Sequence, residues 1–445
     1  PQCTLSVLYF PFSETTPFIA ILVIVAGFVL LAFPYTKPFP YADDWTYPLQ
    51  LDASFRQKFA WLFQQHTDHR IPVLKLAQLT TLWLFNFDFR ILILLNVIVV
   101  AAGAAFLVLT LRDYRGRGLF ADVLVPLICL NLGAGLFGWS FSAQFAWSIS
   151  FVYAYLYFYQ LAGRRDSAGL RYLSIGFLAL SALSGMNGVI VALVISVAMI
   201  VYEFQRDKNR FLGEKLAFFL IVAMCLAIIV AWRPTSASGK SANYADLANW
   251  IFGFVKSSFI VNAFFGGWWK ALVVGGLTAA AGYVAVRGFI GVKKTDRESF
   301  SLYAVFLSFL VLSGVVILGR VGNGAWTPGL EMHYGYLSTP VVLLAWAILS
   351  ARLNDKWVMA LGAFLVVIYS VAFVDNLKWR LKFLYDNTHV YYNILLDFNA
   401  VANAEDLAKK YPLEFFHVDN DDVRLQIVPG IEKLRKFGGP LYGKR

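Results

Sequence analysis

"IPVLKLAQLTTLWLFN", residues 71–86, is apolar enough to enter a membrane, yet it carries Lys75, and the stretch before it carries Arg56 and Lys58, where a spanning helix would carry hydrocarbon. Whether it crosses decides the side of everything that follows. Downstream, basic residues gather in short loops: Arg112, Arg115, Arg117; Arg164, Arg165, Arg171; Arg206, Lys208, Arg210, Lys215; Arg287, Lys293, Lys294, Arg297; and Arg352, Lys356. If 71–86 does not cross, these clusters share one side, which the positive-inside rule makes cytoplasmic. If it crosses, every cluster lies outside. The stretch is therefore read as part of an amphipathic surface segment, 51–86, with a second such segment at 244–266.

The composition agrees with a membrane chain. Of 445 residues, 59% are hydrophobic and 15% charged, against roughly 25% charged in soluble domains. The net charge of +11 is spread through loops between apolar runs, a topology signal rather than a nucleic-acid face. Cys3, Cys129 and Cys225 offer neither a disulfide framework nor zinc spacing. The run 18–34 has no basic segment before it and no small-residue cleavage pattern after it, so it reads as a retained helix.

The expected fold is an α-helical polytopic membrane protein. Eleven spans are read at 18–34, 89–111, 119–137, 141–162, 171–186, 188–204, 213–232, 268–289, 299–319, 336–352 and 356–375. They make a transmembrane domain over 1–375, with the N-terminus cytoplasmic and outer loops at 35–88, 233–267 and 320–335. The remainder, 376–445, reads as a small soluble α+β domain on the outer face. In it, "NAEDLAKKY" and "IEKLRKFGG" are expected as helices, "EFFHV" and "VRLQIVPG" as strands. All five histidines then lie on the outer side.

That side also holds the candidate chemistry. In "YADDWTYPLQ", residues 41–50, Asp43 and Asp44 either cap a surface helix or supply a general base for a hydroxyl nucleophile. Trp45 could hold a sugar face or a lipid chain. In "HTDHR", residues 66–70, His66 and His69 could join an aspartate around a metal. Alternatively Arg70 binds phosphate with the histidines as donors, or the stretch is a solvated turn before Pro72. Arg320 ends an apolar helix where outer-side arginine is scarce, as a snorkelling side chain or a phosphate ligand. His333 and Tyr334 point into the same loop, and Glu331 is a possible second acid or partner for Arg320. Gln144 in "WSFSAQFAW" and Asn187 in "SGMNG" read as helix–helix hydrogen bonders or substrate contacts.

Taken together, the acidic pair, "HTDHR", "WSFSAQF" and "GR…HYGYLS" resemble the GT-C superfamily of membrane glycosyltransferases over about residues 15–350. The resemblance is nearest to bacterial polyprenyl-phosphate-sugar-dependent enzymes that decorate O-antigen and other surface polysaccharides. Asp68 matches the acid of a related "HNEHR"-like stretch, whereas Met332-His333-Tyr334 replaces an expected Ser-Arg-Tyr triplet. The resemblance implies inverting transfer at the bacterial inner membrane, on its periplasmic face. The donor would be a polyprenyl-phosphate-linked sugar and the acceptor a hydroxyl of a glycan or glycolipid. Asp43 or Asp44 would be the base. Arg320, Arg70, His333, His66 and His69 would contact the phosphate, and Trp45, Gln144, Tyr334 and Glu331 the substrate. It implies no cofactor, no metal and no nucleic acid, with membrane lipids as surroundings. A transporter or flippase, or another outer-face transferase such as a polysaccharide ligase, polymerase or acyltransferase, stays open as an alternative.

Overall fold

The structure, a computed structural model, describes residues 12–66, 69–131, 139–206, 212–233, 244–258, 268–320, 334–400, 403–416 and 421–442. Its helices are α1 (Phe12–Leu31), α2 (Phe55–Phe63), α3 (Pro72–Leu84), α4 (Arg90–Arg115), α5 (Leu124–Cys129), α6 (Ala143–Arg165), α7 (Ala168–Ala182), α8 (Met186–Arg206) and α9 (Leu212–Val230). They continue with α10 (Tyr244–Ser257), α11 (Trp268–Ile290), α12 (Arg297–Arg320), α13 (Tyr334–Ser350), α14 (Asp355–Ala400), α15 (Ala404–Lys410), α16 (Pro412–Phe415) and α17 (Asp421–Phe437). The chain is a helical multi-pass membrane protein. Among the described residues, seven helices are long and apolar enough to cross a bilayer: α1, α4, α8, α9, α11, α12 and α14. Each of the other four segments read as spans also holds a helix: α5, α6, α7 and α13.

Helix α6 is the inner pillar, packed on α4, α7, α12 and α13. Helix α13 is buried on every side along its whole length, as a helix apolar all round must be. Small residues bring backbones together. A Cβ added to Gly103 of α4 would meet Ser150 of α6 at 2.7 Å, and one on Gly188 of α8 would meet the Ser181 carbonyl oxygen at 1.8 Å.

Ion pairs collect the basic loops at one end of this bundle. Arg112 pairs with Glu14 at 3.3 Å, Arg164 with Asp113 at 2.9 Å and with Glu298 at 3.0 Å, and Arg297 with Glu203 at 3.0 Å. Arg115 pairs with the buried Asp122, whose other oxygen accepts from Trp346 Nε1 at 3.2 Å. Helix α4, 26 residues and so about 39 Å long, carries the chain from Arg90 at the opposite end to this basic end.

Helix α3 does not leave the end opposite the basic loops. Val73 N–H donates to the Leu183 carbonyl at 3.3 Å where α3 starts, and Phe89 N–H donates to the Pro38 carbonyl at 3.1 Å just after it. Its buried face is the polar one, with Lys75 and Gln78 beside Leu74 and Leu82, while Leu76 and Leu84 stand outside. This is the inverse of a helix floating on water and suits a helix whose outer face meets lipid.

The C-terminal segment corrects one expectation. No strand is present among the described residues apart from a single backbone bridge between His66 and His69. "EFFHV" contributes to the short helix α16, and "VRLQIVPG" lies inside α17, which runs through Pro429. Buried Ile427, Ile431 and Leu434 repeat at helical spacing, and their burial offsets the backbone bond that Pro429 removes. Helix α14 passes residue 375 without a break. Beyond it, Tyr391, Ile394, Phe398, Phe415, Ile431 and Tyr442 share one apolar cluster with Phe39, Trp45, Tyr47 and Trp61 of the first long loop. Gly430 sits flat on Trp45, where a Cβ would meet the ring at 2.6 Å. Gly430→Ala is therefore expected to cost about 1–3 kcal/mol and to expose the C-terminal segment. Limited proteolysis and thermal unfolding in detergent check this, and an unchanged cleavage pattern would contradict the contact.

Candidate functional site

The acidic pair sits in a short 3₁₀ turn, Ala42–Thr46. Ala42 is held at φ +52°, a left-handed conformation that alanine adopts only under constraint. The turn sends the two neighbouring carboxylates into different surroundings. Asp43 is 24% exposed, and its Oδ1 lies 3.0 Å from His66 Nε2. Asp44 is 2% exposed and accepts from Ser140 Oγ at 2.6 Å and from the Tyr41 N–H at 3.4 Å. Burial pushes the Asp44 carboxyl up to about 7; the Ser140 and Tyr41 hydrogen bonds oppose that shift, and the charge of Asp43 adds to it.

Residues 139–145 form the floor. Ser140 is the hub: its hydroxyl holds Asp44, and its carbonyl accepts from Gln78 Nε2 at 3.0 Å and from Asn96 Nδ2 at 2.9 Å. Asn96 Oδ1 in turn accepts from Trp147 Nε1 at 3.0 Å, and Gln78 Oε1 accepts from the Tyr47 hydroxyl. Phe141 packs against the His66 ring at 4.8 Å, and Phe145 meets the His69 ring edge-on at 6.0 Å. His66 and His69 exchange backbone hydrogen bonds of 2.8 and 2.9 Å; Asp68 lies outside the described residues. Thus Asp43, Asp44, His66, His69 and the residues that lead into α6 come together in one place.

Other expected residues are committed elsewhere. Arg70 donates from Nη1 to the Phe63 carbonyl at 2.7 Å and from Nη2 to the Ala231 carbonyl at 2.9 Å. It ties the end of α2 to the end of α9. Trp45 is buried, donates from Nε1 to the Phe415 carbonyl at 3.1 Å and packs edge-to-face on that ring at 5.2 Å. It is a structural anchor for the C-terminal segment rather than an open platform. Tyr334 opens α13 and packs on Trp250 and Phe254 of α10. Gln144 is buried with Oε1 lacking a hydrogen bond among the described residues, and so is Asn187 with its Nδ2. Arg320 closes α12 at the end opposite the basic loops. Glu331 and His333 lie outside the described residues.

Two cations escaped the sequence reading. Lys37 is half-buried, with Nζ 3.4 Å from the centre of the Tyr41 ring and 5.7 Å from that of Tyr391. Burial first, then the positive charge of Arg380, push the Lys37 ammonium down to about 7, against the pull of Asp44 and Glu414. Arg380, on α14, is 4% exposed, its Nε makes no hydrogen bond, and it pairs with no carboxylate among the described residues. Two positive charges that repel each other in a buried setting are costly unless an anion joins them. The signal for Lys37 was its place six residues before Asp43. Arg380 was hidden by reading its segment as a soluble domain.

The pH behaviour follows from these shifts. The folded-state value of Asp44 lies above its ordinary 3.8, so the protonated form favours the fold and stability falls as pH rises from about 4 through about 7. Lys37 acts in a separate window, adding stability as pH rises from about 7 towards its ordinary 10.5. Asp44→Asn, which still accepts from Ser140, is expected to flatten the melting-temperature profile between about pH 4 and 7. An unchanged slope in that window would contradict the neutral assignment. No family model, curated protein or solved structure matches the chain.

Proposed function

We propose that the chain is an inverting glycosyltransferase with a GT-C-like bundle of about eleven transmembrane helices, acting on the outer, periplasmic face of a bacterial inner membrane. The donor is a sugar on a polyprenyl phosphate and the acceptor a hydroxyl of a surface glycan or glycolipid. The observation that carries this reading is the part-exposed Asp43 carboxylate oriented by His66 at 3.0 Å, in the same loop as Lys37, whose ammonium feels the charges of Arg380 and Asp44. Asp43, rather than Asp44, is the base: it is open to substrate, whereas Asp44 is sealed beneath Ser140.

In the reaction, Asp43 takes the proton from the acceptor hydroxyl as that oxygen attacks the anomeric carbon from the face opposite the phosphate. The carbon–oxygen bond to phosphate breaks, and its electron pair leaves with the lipid phosphate. His66, donating from Nε2, keeps the Asp43 oxygen aimed. Lys37 and Arg380 stabilise the departing phosphate, and binding of that anion restores charge to the Lys37 ammonium. Arg320 and His333 are further candidates for the same phosphate. The cations thus move from Arg70, which is held by two carbonyls, to Lys37 and Arg380.

Asp43→Asn is expected to lower release of lipid phosphate from polyprenyl-phosphate hexoses in nanodiscs by about 10²–10⁴-fold. Asp44→Asn should keep activity within about tenfold. Undiminished turnover in Asp43→Asn would sink the assignment of the base. Sugar-lipid translocation that depends on Asp43, without any bond cleavage, would favour a transporter instead.

A further inference from the structure

Away from the Asp43 site, the far end of the α2–α3 hairpin meets the end of α17 around a cavity of about 570 Å³. That volume lies within the roughly 300–1,000 Å³ of small-molecule sites. Helix α3 has 13 residues, so its C-terminal end stands about 20 Å from Arg70 at its start. Trp83 and Phe437 line the cavity together with Gln50, Lys58, Thr80 and Asn86. None of these four polar side chains, nor Trp83 Nε1, makes a hydrogen bond to the protein among the described residues. An aromatic face beside uncommitted amide, hydroxyl and ammonium groups is the chemistry that receives a sugar ring and its hydroxyls.

The electrostatics narrow the ligand. No carboxylate lines the cavity. The nearby Asp52 is held by Lys433 Nζ at 2.5 Å, and Lys436 Nζ stands 5.0 Å from the Phe437 ring. The lining therefore presents the charge of Lys58 without compensation, which favours an anion. The rim is also strained. Asn86 and Phe87 both have positive φ, +53° and +60°, a cost that persists only where surrounding structure holds it. The Tyr442 hydroxyl, 2.9 Å from the Phe87 carbonyl, and Gly439 against Asn86 supply that hold.

We infer that this cavity binds a carboxylate-bearing saccharide unit. Resting on the transferase reading, it is the distal subsite for a glycan acceptor, whose far end is gripped while its hydroxyl reaches Asp43. The test measures binding without turnover, by calorimetry on the full chain in nanodiscs with trigalacturonic acid as probe and maltotriose as the uncharged control. Trigalacturonic acid should bind one per chain, about tenfold more weakly to Lys58→Gln and at least about tenfold more weakly to Trp83→Ala. Maltotriose should bind at least about tenfold more weakly than trigalacturonic acid. No binding of trigalacturonic acid, equal binding of both sugars, or affinities untouched by both variants would overturn the inference. So would a phospholipid that co-purifies with the wild type and is lost from Trp83→Ala. Saccharide binding with no sugar transfer would retire the transferase reading alone, while Asp43-dependent transfer with no saccharide binding would retire the subsite alone.

Discussion

Ser140 is where the parts of this molecule are tied together. Its hydroxyl binds Asp44 of the first long loop, and its carbonyl binds Gln78 of α3 and Asn96 of α4. All three partners are buried, so none could lose its hydrogen bond cheaply. That requirement also explains why α3 stays at one end of the bundle. Lys75, 1% exposed, spends its ammonium on the Trp61 and Gln64 carbonyls at 2.8 Å each, satisfying the end of α2. A helix whose Lys75 and Gln78 side chains are spent in this way cannot turn that face to hydrocarbon. The topology of the following helices rests on those bonds.

The C-terminal segment is the other half of the same construction. Trp45 and Tyr442 reach across several hundred residues of sequence to the Phe415, Pro38 and Phe87 carbonyls. Lys433 adds a bond to the Leu49 carbonyl at 2.9 Å. The loop that carries Asp43 and Asp44 is thus clamped between α6 beneath and α15–α17 beside it. A clamp of this kind can hold Ala42 in its left-handed conformation and keep two adjacent carboxylates in unlike surroundings. One is sealed and shifted towards neutrality; the other is open and paired with an imidazole.

Much of this was legible in the sequence, for definite reasons. Apolar runs of membrane length located the helices, and the basic loops located their shared end, which the pairs Arg112–Glu14 and Arg164–Glu298 bring together. The nearness of Asp43 to His66 followed from their placement at the same end. Long-range partners were not legible. Trp45 beside two acids looks like a sugar platform until Phe415 is seen upon it. "VRLQIVPG" alternates like a strand over too few residues to show that Ile427, Ile431 and Leu434 form one helical stripe. Asp43 and Asp44 are indistinguishable as neighbours in a string, because burial by Ser140, some ninety-six positions on, is what separates them. Arg380 was legible as an arginine at the end opposite the basic loops only if α14 was known to continue past residue 375.

The proposed transfer depends on where the lipid phosphate would rest. A structure of the chain with a polyprenyl-phosphate analogue is the most direct measurement. The phosphate oxygens are predicted within hydrogen-bond reach, about 3 Å, of Lys37 Nζ and the Arg380 guanidinium, with the Asp43 carboxylate facing the sugar carbon from the opposite side. A phosphate bound away from both cations, or one lying on the same side as Asp43, would contradict it.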